Sequence, residues 1–229
     1  MASSWRTRTV DQIKGDGNRA IAIGPFGSRM KADRYVTGGV PVIRGNNISD
    51  TRTLVGDLVF VSDATHGHSP DEVIDRPFGS GMRFINGDTL VARITPCLDN
   101  GKTAFVDFLP DGQVGWGSTE YIVLRPKPPL PVEFAYCLAR SEGFREFAIQ
   151  SMTGSSGRQR VPAESLSHFR MVNPPKLVAE HFGHFVKPLF ARASAATEEM
   201  RTLAGLRDTL LPKLISGELR VKDAERFTE

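Results

Sequence analysis

Three short segments concentrate the planar hydrogen-bonding groups of this chain. Arg44-Gly45-Asn46-Asn47 gathers one guanidinium and two amides around a glycine, where the apolar run VPVI (40–43) gives way to a turn. Arg93-Ile94-Thr95-Pro96 leads into Asp99-Asn100-Gly101-Lys102. The stretch SMTGSSGRQRVP (151–162) then sets Ser155, Ser156, Arg158, Gln159 and Arg160 behind its first glycine. A guanidinium pairs bidentately with carboxylates, phosphates or the O6/N7 edge of guanine, and a glutamine amide matches the N6/N7 edge of adenine. Serine hydroxyls and glycine backbones suit phosphates, and Lys31 and Lys102 supply point charges of the kind that contact a DNA backbone. The chain is mildly basic, with a formal net charge of +3 and a pI near 9.0. Three such loops on a basic chain favour the reading of DNA sequence.

Catalytic chemistry finds no comparable footing. Asp75–Gly81 (DRPFGSG) imitates the glycine-rich loop that cradles S-adenosylmethionine, and Asn173-Pro174-Pro175-Lys176 imitates the Asn-Pro-Pro-aromatic motif of adenine methyltransferases. A cofactor loop must follow a buried strand and open a helix, whereas SPDEVID before this one is polar. Lys176 occupies the place where an aromatic ring must stack a flipped base. Pro70-Asp71 followed by Asp99…Lys102 misses nuclease spacing by one residue, which puts the two groups on opposite strand faces. Asp63, His66 and His68 lack further ligands at a recognised spacing, and GSSG (154–157) is no serine-nucleophile elbow. Cys97 and Cys137 have neither CxxC nor metal spacing and read as free thiols. The expectation is a non-catalytic protein that holds neither metal nor cofactor. Without an apolar leader or an 18-residue apolar run, it is also expected to be cytoplasmic, with no membrane partner.

The elements that must carry these loops fall into two regions. Residues 1–176 are rich in Gly, Pro and β-branched residues, with strand-length runs at VPVI (40–43), DLVFVS (57–62), DTLVARI (88–94), KTAFVDF (102–108) and EYIVLRP (120–126). Helical periodicity appears at 131–152, with a break expected at Gly143. After Asn173-Pro174-Pro175, apolar residues recur at 178, 182, 185, 189, 193, 196, 200, 203, 206, 210 and 214. These steps of three and four predict one helix of roughly 35 residues, about 50 Å long at 1.5 Å per residue, kinked at Pro188 and capped by Gly217. The fold class is α+β: a β-rich domain over 1–176 and a long helical region over 177–229. Such a stripe exceeds what a modest β domain can cover and calls for a second helix. The expected interface residues are Phe182, Phe185, Leu189, Met200, Leu203, Leu210 and Leu214.

Taken in order, GPFGSRMKADRY (24–35), GVPVIRGNNI (39–48), GDTLVARITPCLDNGKTAFV (87–106), STEYIVLRP (118–126), TGSSGRQRVP (153–162) and LRDTLLPKLISGELRV (206–221) resemble the specificity subunit of type I restriction–modification enzymes. The resemblance spans almost the whole chain. It implies a target-recognition domain followed by the long helix of a helical conserved region. Such subunits usually carry two of these units in tandem, each reading one half of a bipartite site on double-stranded DNA. Their helices pack antiparallel as a spacer on which methyltransferase subunits dock. S-adenosylmethionine is then expected on the methyltransferase, and a restriction subunit acts through it. With one recognition domain, this chain corresponds to a half-length form or to half of a split subunit, completed by a second copy pairing its helix antiparallel or by a different half-subunit. Glu180-His181 and Gly183 depart from the family's usual Glu-Gln at the start of the helix. Because the Arg44–Asn47 motif helps to identify the family, it suits a bracing or phosphate role, and base reading falls to Arg158, Gln159 and Arg160.

Overall fold

The computed structural model describes residues 6–15, 21–23, 35–49, 56–61, 83–117, 120–155 and 157–220. Two sheets carry the polar loops. A four-stranded antiparallel sheet runs in the order β2 (Ile21–Ile23), β10 (Tyr121–Leu124), β7 (Thr89–Ala92) and β8 (Thr103–Phe105). A five-stranded sheet runs β3 (Tyr35–Val36), β5 (Val59–Val61), β4 (Val40–Ile43), β9 (Gly115–Gly117) and β6 (Arg83–Phe84), with β4 and β9 parallel and the other pairs antiparallel. A separate ribbon pairs β1 (Arg6–Thr9) with β11 (Arg170–Asn173).

The sequence YIVL of β10 shows why the first sheet is central. Successive side chains of a strand point to opposite faces, and here both faces are covered. Tyr121 and Val123 join Ile43, Phe84, Leu90, Ala104 and Val106 in one buried cluster that draws on both sheets. Ile122 and Leu124 join Val91, Leu98, Ala135, Ala139, Phe144, Ala148 and Leu166 on the other side. The second cluster is the buried face of three helices, α2 (Glu133–Arg140), α3 (Glu142–Gln150) and α4 (Ala163–Ser167). A fourth short helix, α1 (Val10–Ile13), adds Val10 to it.

The helical stretch at 131–152 breaks at Ser141, two residues before the expected Gly143. Ser141 is extended (φ −68°, ψ 143°) and serves both as the C-terminal cap of α2 and as the N-terminal cap of α3. Its hydroxyl donates to the Leu138 carbonyl at 2.7 Å, and its own carbonyl accepts the Arg145 N–H at 3.1 Å. An extended serine whose hydroxyl satisfies a terminal carbonyl of α2 stops that helix more effectively than an exposed glycine that merely weakens it.

The long helix, α5, spans Lys176–Ile215 and is assigned as one helix through both Pro188 and Pro212. Two compact units divide it, Met1–Lys187 and Pro188–Glu229. Its first turns therefore belong with the β-rich unit. Ala179 is buried with Ile13 and Leu130, Phe182 meets Phe134 edge-to-face at 6.2 Å, and Gly183 sits where a Cβ would press on Pro131 at 3.2 Å. The glycine that departs from good helix-forming chemistry is thus where helix and loop approach closely. In the second unit the helix ends on Gly217 at φ 75°, whose N–H donates to Leu214 O while Leu219 N–H donates to Lys213 O. This is the expected glycine cap.

Candidate nucleic-acid interface

Two of the polar loops leave the same end of the strands, and the third, between α3 and α4, is hydrogen-bonded to one of them. Arg44 follows the C-terminus of β4, Arg93 follows that of β7, and Lys102 and Glu120 precede β8 and β10. Backbone hydrogen bonds tie these loops into one surface. Thr103 N–H donates to Ser49 O (3.1 Å), Ala92 N–H to Lys102 O (3.0 Å), and Arg93 N–H to Glu120 O (3.0 Å). Val161 N–H then donates to Arg93 O (2.9 Å) and Thr95 N–H to Gln159 O (3.1 Å). Beneath them the fully buried Tyr121 donates its hydroxyl to Ile43 O at 2.5 Å, fastening the two sheets at that end.

In the first loop the residues divide by role. Asn47 is 1% exposed. Its Oδ1 accepts the Arg44 N–H at 3.0 Å and its Nδ2 donates to Asp57 O at 3.2 Å. Its amide braces the turn, the bracing role rather than the DNA-contacting one of the two expected for this motif. Arg44 is half-buried, with its guanidinium 6.0 Å from the Tyr35 ring centre and 3.5 Å from Asp57 O. Asn46 alone of the three polar side chains is exposed.

The third loop is a closed hairpin. Thr153 and Arg160 exchange both backbone hydrogen bonds (3.0 and 2.9 Å), and Arg158 N–H donates to Ser155 O. Gly154 and Gly157 take the turns at φ 116° and 78°, where a side chain would be strained. Ser155 and Arg158 stand exposed and Gln159 half-exposed, and among the described residues no hydrogen bond or ion pair occupies the Arg158 guanidinium. Arg160 behaves differently. Its Nη2 and Nε donate to the two carboxylate oxygens of Glu120 at 3.0 and 3.3 Å, and its Nη1 reaches Arg158 O at 3.4 Å. A guanidinium spent on an internal carboxylate is not a free base reader, so Arg160 is corrected to a bracing position.

Arg93 is half-buried beside this pair. Its pKa is pushed down first by burial and then by the Arg160 charge, with Glu120 opposing, and its Nε is buried without a hydrogen-bond partner. Lys102 is half-exposed at the neighbouring turn. Sequence reasoning missed two further cations there. Arg140 Nη1 donates to Gly101 O at 2.9 Å, and Arg145 Nη1 lies 3.4 Å from where a Cβ on Gly101 would stand. Both come from helices remote in sequence from the loop, and the only available signal was their i, i+5 spacing beside the Ser141 break. Lys31 and Ser156 lie outside the described residues, as do Asp63, His66, His68 and the 75–81 segment.

The expected interface residues of α5 also divide. Phe182 is half-buried against Phe134 and packs within the β-rich unit, a correction to its place on the open stripe. Phe185, Leu189, Met200, Leu203, Leu210 and Leu214 are all exposed, from 42% at Leu210 to 73% at Phe185, and Leu206, Leu211 and Ile215 are exposed as well.

No protein-family model matches the chain. It is 30% identical over 149 residues to the type I restriction enzyme EcoEI specificity subunit of Escherichia coli, a match covering 63% of this chain and 25% of that protein. It is 41% identical over 81 residues to the EcoAI specificity subunit of the same organism, covering 34% and 13%. The fold resembles the HsdS subunit from Thermoanaerobacter tengcongensis with a TM-score of 0.54 at 18% identity, covering 97% of this chain and 51% of that one. The chain therefore spans about half the length of that solved subunit, and its matches cover a quarter or less of the two curated relatives. With its β-rich domain and long C-terminal helix, the chain is similar in sequence to parts of type I restriction enzyme specificity subunits and shares the fold of a solved HsdS subunit.

Proposed function

We propose that this chain reads one half of a bipartite site on double-stranded DNA and catalyses nothing itself. Adenine methylation falls to separate methyltransferase subunits, which carry S-adenosylmethionine, and cleavage falls to a restriction subunit acting with them. The observation that carries this reading is the convergence of Asn46, Lys102, Arg140, Ser155, Arg158 and Gln159 at one end of the sheets, with cations and amides facing outward. Cations there would hold phosphates, while Arg158 and Gln159 have the bidentate groups that discriminate guanine and adenine edges. The exposed apolar stripe of α5 supports pairing with a second helix, most simply from another copy of this chain antiparallel to the first. A two-fold pair would read an interrupted palindrome with inverted half-sites. Co-expression with the methyltransferase subunit, followed by mapping of methylated adenines, tests the assignment. A methylation motif that disappears with this chain and changes at one position in Arg158→Ala is the expected result. A motif indifferent to this chain overturns it.

A further inference from the structure

The hairpin at 153–160 brings two arginines and one carboxylate together beneath the residues proposed to read bases. Glu120 holds Arg160 through two hydrogen bonds at 3.0 and 3.3 Å. Arg93 lies in the electrostatic field of both groups. Neither partner of the pair is deeply buried, at 40% exposure for the Arg160 side chain and 30% for Glu120. At such exposure the pair contributes little to stability, so its geometry calls for another account.

The Glu120–Arg160 contact has two consequences for a DNA-facing surface. It closes the base of the hairpin at the residue after Gln159, which fixes where Arg158 and Gln159 project. It also occupies a guanidinium that would otherwise grip any phosphate, whatever the sequence. From this geometry we infer that Glu120 is a specificity-determining positioning residue, which holds the reading hairpin in place and withholds Arg160 from sequence-independent phosphate contact. This rests on the DNA-reading assignment above. Affinity for arbitrary DNA and discrimination between sequences are then set by different groups: the first by Arg93, Lys102, Arg140 and Arg145, the second by Arg158 and Gln159 on a hairpin that Glu120 steadies. Removing the carboxylate should strengthen the first and blur the second, an outcome that simple loss of structure does not produce.

The test uses the full chain and a random-sequence duplex, with binding followed by fluorescence anisotropy between 50 and 200 mM salt. One additional phosphate contact steepens the slope of log affinity against log salt by about 0.9, so the loss of affinity over that fourfold range should grow by about 3.5-fold in Glu120→Gln. Arg160→Gln, which removes the released cation as well, should keep the wild-type slope, and the double variant should match it. In co-expression with the methyltransferase, Glu120→Gln should methylate near-cognate sites that the wild type ignores. An unchanged slope in Glu120→Gln alongside clear wild-type binding overturns this inference and leaves the DNA reading intact. Failure of the wild type to bind duplex DNA overturns the DNA reading and this inference with it. Thermal melting of the three variants within a few degrees of wild type separates these results from unfolding.

Discussion

Replacing Arg125 with Met tests how the sheet end opposite the loops is held together. Asp88, at the start of β7, is 1% exposed, and its carboxylate accepts three hydrogen bonds: Arg125 Nε at 2.6 Å, Arg125 Nη2 at 2.5 Å and the Ile85 N–H at 2.8 Å. Methionine preserves most of the Arg125 stem but removes both charged donors. Breaking a buried pair from one side costs about 3–5 kcal/mol, because the remaining charge is stranded. The Ile85 N–H survives, and the Arg125 position is 30% exposed, which admits water. The lower end, about 3 kcal/mol, is therefore the expected loss at neutral pH. The pH dependence has a definite sign. Burial pushes the Asp88 pKa above its ordinary 3.8, with Arg125 opposing, so removing Arg125 drives it higher still. A carboxyl that binds its proton more tightly folded than unfolded loses stability as pH rises from its unfolded pKa through its folded one. The deficit of Arg125→Met relative to wild type should then shrink between pH 7.5 and pH 5, and Asp88→Asn in the same background should recover much of it. Urea unfolding at the two pH values reads this directly. A deficit below about 1 kcal/mol, or one equal at both pH values, would refute the stranded-carboxylate account.

Three further outcomes are expected. Gly115→Ala should destabilise by about 1–3 kcal/mol in the same urea assay, since a Cβ there would land on the ring of the fully buried Phe84. Lys102→Ala should weaken binding to all DNA sequences alike and lower the salt slope by about one, whereas Arg158→Ala should relax a single base position at a cost of about 1–3 kcal/mol, both measured by competition anisotropy. Leu203→Glu or Phe185→Glu should abolish self-association in light scattering without lowering the melting temperature of the β-rich unit, because both side chains are already exposed, at 56% and 73%.

The runs of β-branched residues at 40–43, 57–62, 88–94, 102–108 and 120–126 each contain a strand, because alternating faces that must both be covered leave a dense apolar signature. The strands without such runs were not legible. β9 is Gly-Trp-Gly, and its first glycine is there to make room for the Phe84 ring, a demand made by a residue some thirty positions away. β11 ends in the Asn173 that reads as the start of a proline break. At the candidate interface, residue chemistry singled out three loops that the structure ties together, but could not divide labour within them. Asn46 and Asn47 are identical side chains, one exposed and one sealed against Asp57. Arg158 and Arg160 are likewise separated only by Glu120, which lies in another loop. On α5 the periodicity located the apolar stripe, and Phe182 left it only because Phe134 happens to meet it.

The hairpin at 153–160 is held largely through main-chain atoms: Thr153 with Arg160, Thr95 with Gln159, and Arg93 with Val161. Such contacts are blind to side-chain identity. Substitutions at Ser155, Arg158 or Gln159 leave every one of them in place and touch neither buried cluster. On the proposed DNA reading, target preference would drift one letter at a time without any toll on folding, while the scaffold that carries it stays unchanged. The hairpin is thus a frame whose exposed side chains can be exchanged without disturbing the main-chain hydrogen bonds that close it.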